Sequence, residues 1–160
     1  MLKYIYAFYL LKVGQHYFQN DEVDKGICIL EKAIKFASDY HFAYFHLACK
    51  LIEIGELSKA EAHINKALEI QPQNSIYHTY LGIIKTKVKE YEKAEESFQK
   101  AIGIDPYNQL TYNYLALNHL KQGNLKTFRE IITDKGIFEN SDVQIEILLS
   151  LEHYRRIESS

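Results

Sequence analysis

The side chains that could do chemistry in this 160-residue chain are seven histidines, two cysteines and a short acidic run. No histidine forms a helical zinc motif with a neighbouring glutamate, and Cys28 and Cys49 are too few for a zinc spacing or a disulfide framework. The acidic residues from Glu90 to Glu96 are interleaved with lysines, which is typical of a solvated helix face. There is no glycine-rich phosphate loop and no G-x-S-x-G turn. We therefore predict a non-enzymatic protein with no catalytic residue, no metal and no cofactor.

The elements that position these side chains follow a repeat of 34 residues. Residues 75–108 repeat the plan of residues 41–74, and the matched pairs are Leu47 and Leu81, Ala60 and Ala94, Ala67 and Ala101, Pro72 and Pro106, and Asn74 and Asn108. A fixed period of this length is typical of stacked helix pairs. Residues 7–40 follow the same pattern, whereas residues 109–136 follow it only in their first half.

The fourth repeat is predicted to end early. Phe128 stands where the other repeats have a small residue, and Lys135 stands where they have an alanine. A phenylalanine overfills a close helix crossing and a buried lysine is costly, so we expect a short or displaced helix that ends near Gly136. A loop over residues 137–140 would then lead to a capping helix over residues 141–157, which covers the apolar end of the array.

The start of the chain faintly resembles an export signal, because Lys3 is followed by a mostly apolar run. It lacks a small-residue cleavage site, is too short to span a bilayer, and falls in register with the repeats from Ala7 onward. We expect a core-facing helix, no membrane insertion and a cytoplasmic location. The net charge is −2 and no basic run reaches five residues, which disfavours a nucleic-acid partner.

The small, large, turn and proline positions of residues 7–125 together resemble those of the tetratricopeptide repeat family. The resemblance implies an all-α fold, a right-handed superhelix of about three and a half helix pairs with a C-terminal capping helix, in a single domain over residues 1–160. It also implies a protein–protein interaction scaffold that holds a partner's peptide or helix in a concave groove lined by the first helix of each pair.

Members of this family that bind acidic tails hold the terminal carboxylate with lysine, asparagine and arginine on successive first helices. The corresponding positions in this chain are Leu11, Gln15, His46, Ile76 and Tyr80. This mismatch disfavours an adaptor of that kind.

The resemblance places positions two, five, nine and twelve of each first helix on the concave side, and most of those residues are apolar. With the neighbouring tyrosines, the predicted partner-binding residues are Phe8, Leu11, Phe18, Phe42, Phe45, Ile52, Ile76, Tyr80, Ile83, Leu110, Tyr114 and Leu117.

Three hypotheses account for such an apolar groove, since a large exposed apolar patch usually marks an interaction site. A partner protein's apolar helix or peptide fills it, which makes the chain an adaptor or a chaperone-like scaffold. Alternatively, a second copy or the chain's own C-terminal helix closes it, which makes the chain a self-assembling structural protein and a possible homo-oligomer. In the third hypothesis the residues are ordinary core.

Overall fold

A computed structural model describes residues 1–135, 144, 147, 150 and 151 of the chain. Its described part is helical throughout apart from the turns, so the predicted all-α class is confirmed. Within residues 1–135 the helices in order are α1 Leu2–Gln19, α2 Val23–Phe36, α3 His41–Glu53, α4 Leu57–Ile70, α5 Ser75–Lys87, α6 Tyr91–Ile104, α7 Gln109–Gln122 and α8 Leu125–Lys135.

The turn inside each helix pair contains one left-handed residue, and these four residues are 34 apart. Gly55 and Gly123 have φ angles of 82° and 83°. Asp21 and Lys89 adopt φ angles of 58° and 63° at the equivalent positions, although a side chain makes this conformation unfavourable. The repeat therefore imposes the same backbone turn whether or not glycine is present.

Small residues let the two helices of a pair approach closely. A Cβ atom added to Gly82 would lie 2.5 Å from the ring of Phe98, and one added to Gly14 would lie 1.9 Å from a methyl group of Leu30. The predicted small positions of the second helices are all fully buried: Gly26, Ala33, Ala60, Ala67, Ala94 and Ala101.

The chain divides into two compact units, which we call the N-terminal unit (Met1–Tyr77) and the C-terminal unit (His78–Ser160). The core of the N-terminal unit includes Leu10 with Ala43, and Tyr44 with Tyr77. The core of the described C-terminal unit includes two clusters. One contains Ile83, Ala94, Phe98 and Leu115, and the other contains Ala116, Leu117, Leu120, Phe128 and Ile147. The boundaries proposed above for the repeats remain predictions.

Phe128 and Lys135 lie on the second helix of the last pair, α8, which is described as far as Lys135. The predicted end of this helix near Gly136 lies outside the described residues. Phe128 is 6% exposed and packs in the cluster that contains Ile147. Lys135 is not buried, because its side chain is 40% exposed and its ammonium pairs with Asp134 at 3.0 Å.

Only Gln144, Ile147, Ser150 and Leu151 of the predicted capping helix are described, and each is helical. Ile147 is 2% exposed, and Leu151 packs against the same cluster. The rest of the predicted helix over residues 141–157 and the predicted loop over residues 137–140 lie outside the described residues.

The beginning of α1 corrects an expectation, because it does not face the core. Seven large apolar residues among the first nine are exposed, and they are Met1, Leu2, Tyr4, Ile5, Tyr6, Phe8 and Tyr9. Leu2–Gln19 is about a turn longer than the other first helices, and in its first turn Lys3 and Tyr4 contact Asp39, in the segment that follows α2. Among the described residues, no helix combines the length and the apolar character needed to cross a membrane.

Candidate partner-binding site

The structure divides the twelve predicted binding residues into three classes of exposure. Phe8, Phe42 and Ile76 are exposed by 51%, 45% and 45%. A second class is half-buried and consists of Phe18, Phe45, Ile52, Tyr80, Leu110 and Tyr114. The third class is buried and consists of Leu11, Ile83 and Leu117, at 4%, 4% and 1% exposure.

The buried class corrects the sequence reasoning, since these side chains are not accessible to a partner. Ile83 packs with Phe98 and Leu115, and Leu117 packs with Phe128. In both cases a neighbouring helix covers the position that the resemblance assigned to the groove. Leu11 is covered to the same degree in the N-terminal unit.

Phe18 has a structural role between helices rather than an open position. A Cβ atom on Gly26 would lie 2.3 Å from the Phe18 ring, so this ring occupies the space that a glycine leaves at the α1–α2 crossing. The Lys50 ammonium lies 5.5 Å from the same ring centroid, which is within the range of a cation–π contact.

The N-terminal unit joins its first helices through a continuous set of rings, which we call the aromatic row: Tyr4, Tyr40, His41, Phe42, Phe45 and Tyr77. Neighbouring ring centroids along it are separated by 6.4 Å for Tyr4–Tyr40, 5.6 Å for Tyr40–Phe42, 4.1 Å for Phe42–His41, 5.8 Å for His41–Tyr77 and 5.0 Å for Tyr77–Phe45. Such distances are those of ring pairs that stabilise each other beyond the area they bury. Two of the row's members were predicted binding residues.

Hydrogen bonds fix the buried side of the aromatic row. His41 Nδ1 lies 2.6 Å from the hydroxyl of Tyr77, and Tyr77 is 2% exposed. Burial raises the pKa of the Tyr77 hydroxyl to about 12, and it lowers the pKa of His41. Both shifts favour the neutral form of the group, as burial does.

A second polar contact joins α1 to α3. The Gln15 amide nitrogen lies 3.3 Å from His46 Nδ1. Burial, and then the positive charge of Lys12, lower the pKa of His46. Gln15 and His46 were two of the positions at which the family's acidic-tail binders hold a carboxylate, and here they contact each other.

The exposed edge of the row carries few charges that could hold an anionic ligand. Lys3 pairs with Asp39 at 2.8 Å, and the Lys12 ammonium lies 5.4 Å from the centroid of Phe8. Lys50 pairs with Glu53 at 2.8 Å. The accessible surface here is therefore mainly apolar.

Sequence reasoning missed four members of the row, namely Tyr4, Tyr40, His41 and Tyr77. The available signal was the run of three rings from Tyr40 to Phe42 at the start of α3. His41 is a half-buried partner of Tyr77.

The C-terminal unit joins its first helices with hydroxyl and amide groups instead. The hydroxyls of Thr79 and Thr111 are 2.7 Å apart. Thr86 donates to the Asn118 side-chain oxygen at 2.9 Å, and the Asn118 amide donates to the carbonyl of Tyr91 at 3.1 Å. These polar side chains are buried, so this junction is internal.

Among the described residues, no three histidine, cysteine, aspartate or glutamate side chains form a group that could hold a metal ion.

Comparison with known proteins identifies the repeats. Residues 43–74 and 79–108 match the family model for the tetratricopeptide repeat. These two segments are tetratricopeptide repeats. The comparison with curated proteins found no match.

Solved structures show the same fold. The chain is similar to MamA AMB-1, with 21% identity and a TM-score of 0.70 over 79% of this chain and 75% of that one. It is similar to MamA 41-end from Desulfovibrio magneticus RS-1, with 20% identity and a TM-score of 0.73 over 82% and 75%. It is also similar to the first tetratricopeptide domain of Spaghetti (RPAP3) bound to the HSP90 peptide SRMEEVD, with 17% identity and a TM-score of 0.68 over 73% and 93%. The predicted family resemblance and fold class are confirmed.

Proposed function

We propose that the chain is a non-enzymatic interaction scaffold that binds an apolar helix or peptide of a partner protein on the aromatic row. The observation that supports this most strongly is the exposure of Phe42 and Ile76, each 45% exposed, next to the well-packed rings of Phe45 and Tyr77. Exposed apolar side chains on a rigid aromatic base are typical of surfaces that another protein covers.

The chemistry of the row favours an apolar ligand over an acidic tail. The Spaghetti domain binds a peptide that contains two adjacent glutamates and ends in aspartate. In this chain, the positions that would hold such a tail include Leu11, which is buried, and Gln15 and His46, which contact each other. An acidic tail would therefore find few groups to pair with, whereas an apolar helix face would find exposed rings.

Two side chains should dominate the affinity, because binding energy concentrates in a few central residues that are often aromatic. Phe42 and Ile76 are each 45% exposed in the free chain, so a partner that buried them completely would gain about 1 kcal/mol from each, roughly half the value for a fully exposed side chain. Phe8 is equally exposed on α1, and the half-buried Phe45 and Ile52 would form the floor.

The experiment compares two double variants that are matched in residue type and exposure. Phe42→Ser with Ile76→Ser removes the proposed anchors, whereas Phe36→Ser with Ile54→Ser removes a phenylalanine and an isoleucine that are 51% and 45% exposed elsewhere. Proteins captured from native cells by each variant are identified by mass spectrometry, and helicity and thermal melting are measured in parallel. We expect a partner that the wild type and the control capture and that the anchor variant loses.

Two outcomes would contradict this proposal. Capture that survives in a folded anchor variant would exclude the aromatic row as the docking surface. A large fall in the melting temperature of the anchor variant alone would mean that Phe42 and Ile76 are structural. Sedimentation of the isolated protein tests the self-assembly alternative, since a dimer that only the anchor variant loses would make a second copy the occupant.

A further inference from the structure

A pocket in the C-terminal unit lies between α6, α7 and α8 and has a volume of about 360 Å³. Its apolar lining residues include Ile102, Leu115 and Ile131. The carboxylates of Glu95 and Glu130 also line it and are accessible to solvent. The pocket thus combines an apolar floor with an acidic rim, in a volume typical of small ligand sites.

A buried imidazole at this pocket lacks the hydrogen bonds that it needs. His119 lines the pocket and is only 4% exposed. Its Nδ1 has no hydrogen-bond partner, and its Nε2 lies 3.7 Å from Glu95 Oε1, which is beyond hydrogen-bond distance. Buried polar groups are nearly always paired. Because Nδ1 is sealed from solvent, Nε2 beside the Glu95 carboxylate is the imidazole atom that a ligand in the pocket could pair with.

The chain's own lysine shows which kind of group these walls accept. Lys135 and Tyr112 both line the pocket. The Lys135 ammonium lies 5.2 Å from the centroid of the Tyr112 ring and 3.0 Å from the carboxylate of Asp134. A cation on an aliphatic stem therefore already occupies the pocket's edge.

We propose that this pocket binds an arginine side chain of a partner protein. A guanidinium is planar and has five N–H donors, so one group can pair with the Glu95 carboxylate while another donates to the His119 ring. The aliphatic stem would pack on the apolar floor, and Glu130 would add negative charge at the rim. A lysine suits the site less well, since its ammonium is compact and strongly hydrated. The site is separate from the aromatic row and does not depend on the function proposed for it.

The probe is N-acetyl-L-arginine methylamide, and its neutral control is the citrulline analogue of the same size. Each is titrated into the full-length protein while the methyl resonances of Leu115 and Ile131 and the ring resonances of His119 are followed by NMR. We expect saturable shifts with the arginine probe at millimolar concentration, as befits a single side chain, and none with the citrulline probe.

Three variants sharpen the test. Glu95→Gln and Glu130→Gln should each weaken the arginine probe about twofold to fivefold, the range measured for exposed charge pairs. Lys135→Ala should strengthen it, because the competing cation is removed. Equal shifts with citrulline, unchanged affinity in Glu95→Gln, or no arginine-induced shifts in either the wild type or Lys135→Ala would each overturn the proposal.

Discussion

In each unit, two neighbouring first helices contact each other at equivalent repeat positions, which we call a junction, but the side chains at the two junctions differ in chemistry. In the N-terminal unit the rings of Phe45 and Tyr77 meet, with centroids 5.0 Å apart. Thirty-four residues later in each case, the hydroxyls of Thr79 and Thr111 meet at 2.7 Å. The repeat therefore determines which positions meet, whereas the residue types determine what kind of junction forms.

The difference decides which junction reaches the surface. The threonine pair is fully buried and each hydroxyl has a partner, so neither threonine side chain is accessible. The ring junction continues outward through His41 to Phe42, which is 45% exposed. The aromatic junction thus leaves an apolar edge exposed, whereas the threonine pair is buried.

The largest effect is expected from removing the ring that anchors the aromatic junction. Tyr77→Ala should lower the free energy of unfolding by about 3–5 kcal/mol, as large-to-small changes in cores do, because Tyr77 is 2% exposed and packs against Phe45. Tyr77→Phe keeps the ring and removes only the contact with His41, so it should cost about 1 kcal/mol. Chemical denaturation of both variants measures the two costs, and equal costs would mean that the hydroxyl rather than the ring holds this junction.

The polar junction should respond in a different way. Thr111→Val alone should lower the free energy of unfolding by about 0.5–1.5 kcal/mol, because the hydrogen bond between the Thr79 and Thr111 hydroxyls is lost. The double change Thr79→Val with Thr111→Val should cost less than the sum of the two single changes, since two methyl groups can replace a pair of hydroxyls. Additive costs in this double-mutant cycle would show that the hydroxyl pair does not act as a unit.

The fold was predictable from the sequence because it depends on period rather than on detail. The small residues recur 34 apart, and this spacing predicts the helix crossings that Gly82 and Ala94 make possible. Even the left-handed turn at Lys89 follows from its position, although lysine itself gives no sign of it.

The binding residues were less predictable, because exposure depends on what each side chain meets. Ile83 and Phe42 were assigned to the same groove, yet Ile83 is covered by Phe98 and Leu115 while Phe42 is open. The start of α1 shows the same difficulty. Its apolar run, which includes Tyr9, would be buried only if another helix lay against it. Periodicity identifies a face of a helix but not the neighbour that covers it.

The smallest predicted effect is a dependence of the free energy of unfolding on pH, and it distinguishes the two junctions. Burial lowers the pKa values of His41, His46 and His63 below the ordinary value of 6.5, and all three belong to the N-terminal unit. The unfolded chain therefore binds more protons than the folded chain just below pH 6.5. Stability should be fully retained above about pH 6.5 and should fall as the pH drops below it.

Two asparagine variants test whether the aromatic row contributes to this dependence. Denaturation midpoints are compared at about pH 7.5 and about pH 5.5, where the difference should be smaller in His41→Asn than in the wild type. His16→Asn is the control, because His16 is exposed on the same helix bundle and does not contact Tyr77. An NMR titration of His41 checks the cause directly, since a pKa at or above 6.5 would mean that the row does not hold this imidazole neutral. If the midpoint changes between the two pH values by the same amount in both variants and the wild type, then the acid sensitivity arises elsewhere. The contact between His41 and Tyr77 would then stabilise the row without making its stability depend on pH.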